Sequence, residues 1–372
     1  MVSGGADSSI RIWDLASTEN NSKNYVLKAS GSVERFYPFD SLAFLSSSYD
    51  HTLKIYSSTT LSPSASFELN SVIYSHALSP IASHLLVACA TQHPTVRLVD
   101  LRSGANTHSL AGHQGAVLSV SWSPRHEHVL ASGGTDGTVR LWDVRRSAAG
   151  DLGVLDMEDS VGIVGYDGLG TGARHRSRGK AHAGAVNGVI WTEEGDYIVS
   201  TGHDERIRVW DAAKGANTLA NFGPSIKNTR LSSNIPLLAP TNLSPPGTEY
   251  LFYASEYEIL VFELFSGTFI KKLRPPNLTS NPQPGNKKAI NSRPQSRVMS
   301  LAWRGRSHVS FYSAHLDGMI RAWIPHTEED AAAEADEEDQ GVEVDEDYRS
   351  KRKRNALDDV YHDLTRRKIT FS

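Results

Sequence analysis

The sequence has 372 residues, of which 39% are hydrophobic and 22% are charged, a composition typical of a soluble protein with a sizeable core. Its formal net charge is −4, and its only cysteine, Cys89, excludes an intramolecular disulfide and fits a reducing compartment. The start of the chain has no secretory signal, and the apolar run LLVACA around Cys89 is far too short to span a membrane. We therefore expect no membrane partner.

The charge is distributed unevenly along the chain. Residues 328–372 contain 15 acidic and 8 basic residues, a net charge of −7. The preceding part contains 27 acidic and 30 basic residues and is close to neutral. Because it lacks a broad basic surface, we do not expect direct binding to DNA.

A twelve-residue pattern recurs along the chain. Its clearest copies are GGADSSIRIWDL, SSYDHTLKIYSS, GGTDGTVRLWDV and TGHDERIRVWDA, and looser copies begin at Ala90, Tyr253 and Ser313. One aligned column contains Asp7, Asp50, His93, Asp136, Asp204, Glu256 and Asp317. Six residues later stand Trp13, Tyr56, Val99, Trp142, Trp210, Phe262 and Trp323. The first four members of each column are 43 residues apart, which is the period of a four-stranded propeller blade.

The local pattern agrees with such a blade. In the copy at Gly133, VLASGG and the alternating TVRLW predict two strands joined by the turn TDG. Seven such hairpins predict one all-β domain over residues 1–327, a seven-bladed WD-repeat β-propeller whose first blade is incomplete. Residues 151–180 and 274–297 are expected to be loop inserts.

Two repeats contain a complete set of polar residues. These are His113, Ser132, Asp136 and Trp142 in one repeat, and His182, Ser200, Asp204 and Trp210 in the other. We predict a structural hydrogen-bond network in each, in which the histidine bridges the aspartate and the serine, and the serine accepts from the indole. A Ser/His/Asp hydrolase is the alternative, but a catalytic triad has no reason to occur twice at repeat spacing.

Other chemistry finds little support in the sequence. The glycines at 133–134 precede a strand, whereas a phosphate-binding loop opens a helix. A metal site at His175 and His182 is disfavoured because His182 belongs to the repeat network and no cysteine lies near. We therefore predict no enzyme activity and no catalytic residue, cofactor, metal or small-molecule substrate.

Three segments are more specific than the repeat itself. They are YSHALSP at residues 74–80, WSPRHEHVLA at residues 122–131 and GANTLANFG at residues 215–223, and they resemble the Cockayne syndrome A protein family and its fungal members. The resemblance implies a nuclear, non-enzymatic substrate receptor of a cullin-RING ubiquitin ligase in transcription-coupled nucleotide excision repair. Its implied partners are the ligase's propeller adaptor, a subunit of the damaged-DNA-binding complex, and repair factors at stalled RNA polymerase II.

The resemblance also implies the adaptor-binding residues. The W-D-x-R signature of adaptor-binding proteins is matched by Trp142, Asp143 and Arg145, while Asp100 and Arg102 keep only part of it. An arginine at the end of a rigid strand suits a protein interface, although a solvated surface arginine is the simpler alternative. Family members have an N-terminal helical segment and two further strands before the residues that match Met1 onward. We therefore expect either a longer natural protein or an isoform with weak adaptor binding.

The last 45 residues form a distinct region, 328–372. Residues 328–347 contain twelve acids and no base, which predicts a disordered segment. The patch Lys351, Arg352, Lys353 and Arg354 is a candidate nuclear-import signal. Residues 356–368 predict a short helix that forms on a partner or on the propeller.

The main alternative to the ligase receptor is a WD-repeat scaffold in another nuclear complex, such as one of chromatin or RNA processing. Co-purification of the adaptor would discriminate between the two.

Overall fold

The computed structural model describes residues 1–4, 9–13, 25–28, 33–38, 40–81, 83–104, 106–146, 151–158, 179–223, 226–230, 232–245, 247–274, 296–305 and 308–324. Asp7, His175, most of both inserts and the whole of region 328–372, with its predicted import patch and helix, lie outside these residues.

The described residues form seven antiparallel sheets and one short 3-10 helix at Thr241–Leu243. The first sheet contains β1 (Val2–Gly4), β2 (Ser9–Ile12) and β3 (Tyr25–Lys28). The second contains β4 (Val33–Tyr37), β5 (Asp40–Ser47), β6 (Thr52–Ser57) and β7 (Pro63–Glu68). The third contains β8 (Ile73–Leu78), β9 (Leu86–Thr91), β10 (Thr95–Asp100) and β11 (Asn106–Ala111). The fourth contains β12 (Val117–Trp122), β13 (Val129–Gly134), β14 (Val139–Asp143) and β15 (Gly153–Leu155).

The remaining three sheets follow the same order along the chain. The fifth contains β16 (Val186–Trp191), β17 (Tyr197–Gly202), β18 (Arg206–Asp211) and β19 (Ala216–Asn217). The sixth contains β20 (Leu237–Leu238), β21 (Tyr250–Ser255), β22 (Glu258–Glu263) and β23 (Phe269–Leu273). The last contains β24 (Val298–Trp303), β25 (Phe311–His315) and β26 (Ile320–Trp323).

Consecutive sheets meet through their first strands. The strand β12 packs against both β8 and β16, β4 packs against β8, and β24 packs against β20 and β21. This arrangement confirms the all-β propeller predicted from the repeat. In six of the seven described sheets the first strand is an inner strand of this kind, whereas the first sheet begins with β1, which is equivalent to a second strand such as β13. These six sheets count as blades; the predicted number of seven is not confirmed.

The hydrophobic core is divided into clusters that each lie between two consecutive sheets. Between the third and fourth sheets, for example, Leu98 packs with Val120 and Trp142. Both faces of a middle strand are therefore covered, which explains why VLASGG is apolar almost throughout rather than alternating.

Indole N–H groups connect the two strands of the repeat hairpin, which are β1 and β2 in the first sheet and the second and third strands in the other sheets. In four sheets the tryptophan Nε1 donates to the Oγ of a serine ten residues earlier, at 2.7 to 2.9 Å. The pairs are Trp13–Ser3, Trp142–Ser132, Trp210–Ser200 and Trp323–Ser313. A buried indole N–H needs an acceptor, and the serine supplies it without leaving the sheet.

The other three tryptophans connect neighbouring sheets. Each ends an inner strand, and each donates its indole N–H to a backbone carbonyl in the inner strand of the preceding sheet. The bonds run from Trp122 to Ala77 at 3.0 Å, from Trp191 to Ser121 at 3.1 Å and from Trp303 to Leu238 at 2.7 Å. This second tryptophan column therefore fixes the spacing between blades.

The sixth sheet has a very short inner strand, because β20 contains only two residues. A buried amide cluster supports the irregular segment that precedes it. The Nδ2 of Asn187 donates to Asn228 Oδ1 at 2.9 Å and to the backbone carbonyl of Arg230 at 2.8 Å. The Nδ2 of Asn228 returns a bond to Asn187 Oδ1 at 2.8 Å. Side-chain hydrogen bonds thus satisfy backbone groups of this segment that a longer inner strand would pair with its neighbouring strand.

The serine–tryptophan bond yields a matched stability test. Ser132→Ala removes the acceptor of a buried indole N–H and should lower the free energy of unfolding by about 1–3 kcal/mol. Ser46 is equally buried, but its Oγ has no hydrogen-bond partner among the described residues, so Ser46→Ala should change stability by less than about 0.5 kcal/mol. Urea denaturation measures both, and equal losses would contradict the assignment.

Candidate functional site

The third strand of each sheet distinguishes two faces of the propeller. The hairpin face carries the turns that lead into β14 and its equivalents. The exit face is the opposite one, where β14 ends at Asp143 and the chain turns outward. All five residues predicted for adaptor binding follow or end a third strand and so lie towards the exit face.

Asp143 and Arg145 form a closed pair at the end of β14. The Nε and Nη2 of Arg145 donate to the two carboxylate oxygens of Asp143 at 3.0 and 2.7 Å, and the Arg145 backbone N–H adds a third bond at 3.0 Å. These bonds lower the pKa of Asp143 to about 2. The Asp143 side chain is almost buried, whereas that of Arg145 is 65% exposed. The strand end therefore presents a guanidinium in a fixed orientation.

The side chain of Arg145 borders a shallow surface depression, here called the Arg145 depression. Its lining includes Ile81, Arg125, His126, Glu127, His128 and Arg145. His84 stacks on His128 with ring centroids 5.6 Å apart and packs on Trp122 at 4.9 Å, so one wall rests on the core. Arg125 pairs with Asp196 in the next sheet. The depression therefore has one wall that packs on the core, and charged side chains, including Arg125 and Arg145, border it.

Asp100 and Arg102 adopt a different arrangement. Asp100 Oδ1 accepts the backbone N–H of Arg102 at 3.0 Å, and Oδ2 accepts the hydroxyl of Ser103 at 2.9 Å. These bonds lower the pKa of Asp100. The end of β10 therefore forms the same turn as the end of β14, but Asp100 does not hold the side chain of Arg102 as Asp143 holds that of Arg145.

The structure brings the eight predicted network residues together in two chains of hydrogen bonds. His113 Nε2 lies 2.8 Å from Ser132 Oγ, its Nδ1 lies 3.2 Å from both oxygens of Asp136, and Ser132 accepts from the Trp142 indole. The distances in the second chain are 2.8 Å from His182 Nδ1 to Asp204, 2.7 Å from Nε2 to Ser200, and 2.9 Å from Trp210 to Ser200.

The electrostatics of these chains favour structure over chemistry. Burial lowers the pKa of His182, which keeps the ring neutral. Burial opposes ionisation of Asp204, but hydrogen bonds from His182 and Arg208 hold its pKa well below the usual range. Ser132 and Ser200 have no exposed surface, so neither hydroxyl can reach a substrate.

Sequence reasoning missed related contacts in other sheets. In the last sheet Ser313 Oγ bonds to His315 Nε2 at 2.8 Å as well as to the indole of Trp323, and in the second sheet Ser47 Oγ lies 3.0 Å from His76 Nδ1. In the complete repeats the histidine precedes its serine in the sequence, whereas His315 and His76 follow theirs. No fixed spacing from the serine therefore identifies these histidines. The sequence analysis predicted Arg145 as a site residue but not the depression beside it, because no spacing rule connects Ile81 and residues 125–128 with Arg145.

No cluster of three or more potential metal ligands occurs among the residues that the structure describes. In the same residues, none of the helical structure has the length and apolar character needed to cross a bilayer.

Comparison with known proteins supports the repeat assignment. The family model described as "WD domain, G-beta repeat" matches residues 104–143 and 175–211. The chain is 32% identical over 295 residues to WD repeat-containing protein ATCSA-1 of Arabidopsis thaliana, a match that covers 64% of each chain. It is 32% identical over 197 residues to ribosome biogenesis protein ytm1 of Neurospora crassa and 34% over 194 residues to YTM1 of Pyricularia oryzae. The two fungal matches cover about half of this chain and 38% of each relative. The chain thus spans less than two thirds of these relatives.

These matches correct the family assignment made from the sequence. Ribosome biogenesis proteins match at the same identity as ATCSA-1, which points away from a Cockayne-type receptor, so the assignment to the Cockayne syndrome A family is wrong. The structure gives a physical reason. In WSPRHEHVLA, Ser123 is buried and its Oγ accepts the backbone N–H groups of Arg125 and His126. In GANTLANFG, Phe222 is buried and Asn217 caps a turn. Such segments record turn chemistry and packing rather than a partner.

The lowered pKa of His182 predicts a pH dependence of stability. Below its ordinary pKa of 6.5, the unfolded chain binds a proton that the folded chain refuses, so stability falls as pH falls. Between pH 7.5 and 5.5 this histidine should contribute a loss of up to about 1.4 kcal/mol. His315, whose pKa burial also lowers, adds to it.

Urea denaturation of the wild type and His182→Gln at both pH values measures the contribution. The variant should lose less stability on acidification than the wild type, whatever its stability at pH 7.5. An identical loss in both proteins would contradict a buried, neutral His182.

Proposed function

We propose that this WD-repeat propeller is a protein-interaction scaffold of a nuclear complex and that the Arg145 depression is a partner-binding surface. One observation carries the proposal: Arg145 is clamped by Asp143 on both carboxylate oxygens yet remains 65% exposed. A solvated surface arginine does not need a nearly buried carboxylate to orient it.

The clamp lowers the entropic cost of binding. A free arginine side chain loses rotamer freedom when a partner immobilises it, whereas the side chain of Arg145 is already held by two bonds to Asp143. The clamp uses Nε and Nη2 and leaves the Nη1 group for an acceptor on the partner. Because Asp143 balances its charge, the arginine contributes directional hydrogen bonds rather than general attraction for anions.

The names of the fungal relatives favour a complex that acts in ribosome biogenesis. The fungal relatives are ribosome biogenesis proteins, although the matched part covers only 38% of each. The patch at residues 351–354 supports nuclear import. Propellers of this type typically act as scaffolds, so we assign no reaction to the chain.

A second candidate is a receptor that binds the propeller adaptor of a cullin-RING ligase, with repair factors at RNA polymerase II as further partners. A specific observation favours it: Trp142, Asp143 and Arg145 complete the W-D-x-R signature at an exposed strand end. Asp100 and Arg102 repeat part of the signature in the neighbouring sheet.

Two neighbouring arginines provide a matched test of the surface. Arg145→Glu should reduce partner recovery in affinity purification from nuclear extract at least about tenfold, because it replaces the donor with a second carboxylate beside Asp143. Arg146→Glu, with the same charge change at an exposed residue, should retain recovery within about twofold. Arg146→Glu should unfold at the same temperature as the wild type. Arg145→Glu, in which the nearly buried Asp143 loses its partner, should unfold at a lower temperature but remain folded under the conditions of the purification. Equal recovery by Arg145→Glu and wild type would refute the proposed surface.

The identity of the Arg145-dependent partners separates the two candidates. Ribosome assembly factors lost from the Arg145→Glu sample support the scaffold. Loss of the ligase adaptor from that sample supports the receptor and contradicts the scaffold.

A further inference from the structure

A second surface lies on the hairpin face, on the opposite side of the propeller from Arg145. It is formed by Arg230, Arg297, Tyr257, Leu316 and Met319, here called the two-arginine surface. The residues come from three segments: the one that precedes β20, the turn between β21 and β22, and the last sheet with the residue that leads into it. The proposed function does not use any of them.

Arg230 is held in place through its backbone while its side chain lacks an acidic partner. Its carbonyl accepts hydrogen bonds from Asn187 Nδ2 and His203 Nε2, which fixes the segment. Its Nη1 lies against the Sδ of Met299, and among the described residues no carboxylate forms an ion pair with it. Thioether sulfur is a weak acceptor, so the partly buried guanidinium is poorly compensated.

Arg297 adds a second positive charge beside the first. Burial, together with repulsion from the Arg297 guanidinium, lowers the pKa of Arg230. The nearest carboxylate, Glu256, lies 3.5 Å from Arg297 Nη2 and already accepts the hydroxyl of Thr229 at 2.9 Å. Glu256 therefore pairs with Arg297 alone, and the guanidinium of Arg230 remains as an excess positive charge.

Apolar side chains border this charge. The ring of Tyr257 lies under the Arg297 guanidinium at 5.9 Å and is 40% exposed. The backbone N–H of Leu316 donates to the carbonyl of Arg297 at 2.8 Å, which places Leu316 beside the arginine. Leu316 is 67% exposed, and Met319, in the same hairpin, is 50% exposed. Large apolar residues this exposed and this close together are characteristic of interaction sites.

We propose that the two-arginine surface binds an acidic peptide of a partner protein, with a carboxylate on Arg230 and Arg297 and a large apolar side chain against Tyr257, Leu316 and Met319. Charge complementarity selects the carboxylate, because the site has one more guanidinium than it can neutralise. A nucleic acid fits less well, since a single excess charge beside three apolar side chains does not track a phosphate backbone.

The acidic residues of the chain itself are a less suitable occupant. β26 ends at Trp323, equivalent to Trp142, so the chain leaves the last sheet on the exit face, away from the two-arginine surface. The twelve acids at 328–347 follow from there.

Fluorescence anisotropy with the full-length chain tests the proposal. The probe is a fluorescein-labelled peptide with three glutamates followed by leucine and phenylalanine, compared with the same peptide carrying glutamines. Arg230→Gln and Arg297→Gln should each weaken binding of the glutamate peptide at least about tenfold. The glutamine peptide should bind the wild type as weakly as the glutamate peptide binds these two variants. Arg146→Gln, an exposed arginine on the other face, should leave binding unchanged.

Three results would overturn the proposal. Equal binding of both peptides to the wild type would show that charge plays no part. If both arginine variants bind the glutamate peptide as tightly as the wild type does, the peptide binds elsewhere. Poor folding of a variant could not produce this result, because it would weaken binding. Binding that emerges only after the twelve acids at 328–347 are replaced by glutamine and asparagine would identify that segment as the occupant.

Discussion

The indole N–H of tryptophan is the interaction on which the rest of the structure depends. All seven tryptophans donate this group, four to a serine within their own sheet and three to a carbonyl of the preceding sheet. The first set joins the two strands of a repeat hairpin, and the second set joins neighbouring sheets. A propeller has no single central core, so its order depends on such repeated local bonds.

The sheets that lack a tryptophan at the hairpin position also lack the serine–tryptophan hydrogen bond. Where tyrosine replaces tryptophan, at Tyr56, the matching serine Ser46 has lost its partner. The third sheet replaces the pair with the apolar Cys89 and Val99, both buried. The sixth sheet uses Phe252 and Phe262, likewise buried. In the third and sixth sheets both partners are apolar, which costs little, whereas the second sheet retains the Ser46 hydroxyl without a partner.

The repeat columns made much of the fold predictable from sequence. The spacing of Asp136 and Trp142 predicted the hairpin, and the recurrence of the serine and histidine predicted which side chains meet. Contacts between blades were not predictable, because the bond from Trp191 to Ser121 spans 70 residues without a spacing rule. The amide cluster at Asn187 was missed for the same reason. The family assignment was wrong because turn formation and packing explain the segments on which it rested, and neither specifies a partner.

The proposed function therefore depends on the side chains that lie at the ends of strands fixed by the serine–tryptophan bond. Trp142 and Ser132 fix β14, and β14 places Asp143 and Arg145 on the exit face. The most direct measurement of this account is hydrogen exchange at the indole N–H of Trp142, followed by NMR of the protein labelled with ¹⁵N-tryptophan. The account predicts exchange only through unfolding of the blade, with selective acceleration at Trp142 and not at Trp210 when Ser132 is alanine. Exchange of the wild-type Trp142 indole at the rate of a free indole would contradict it.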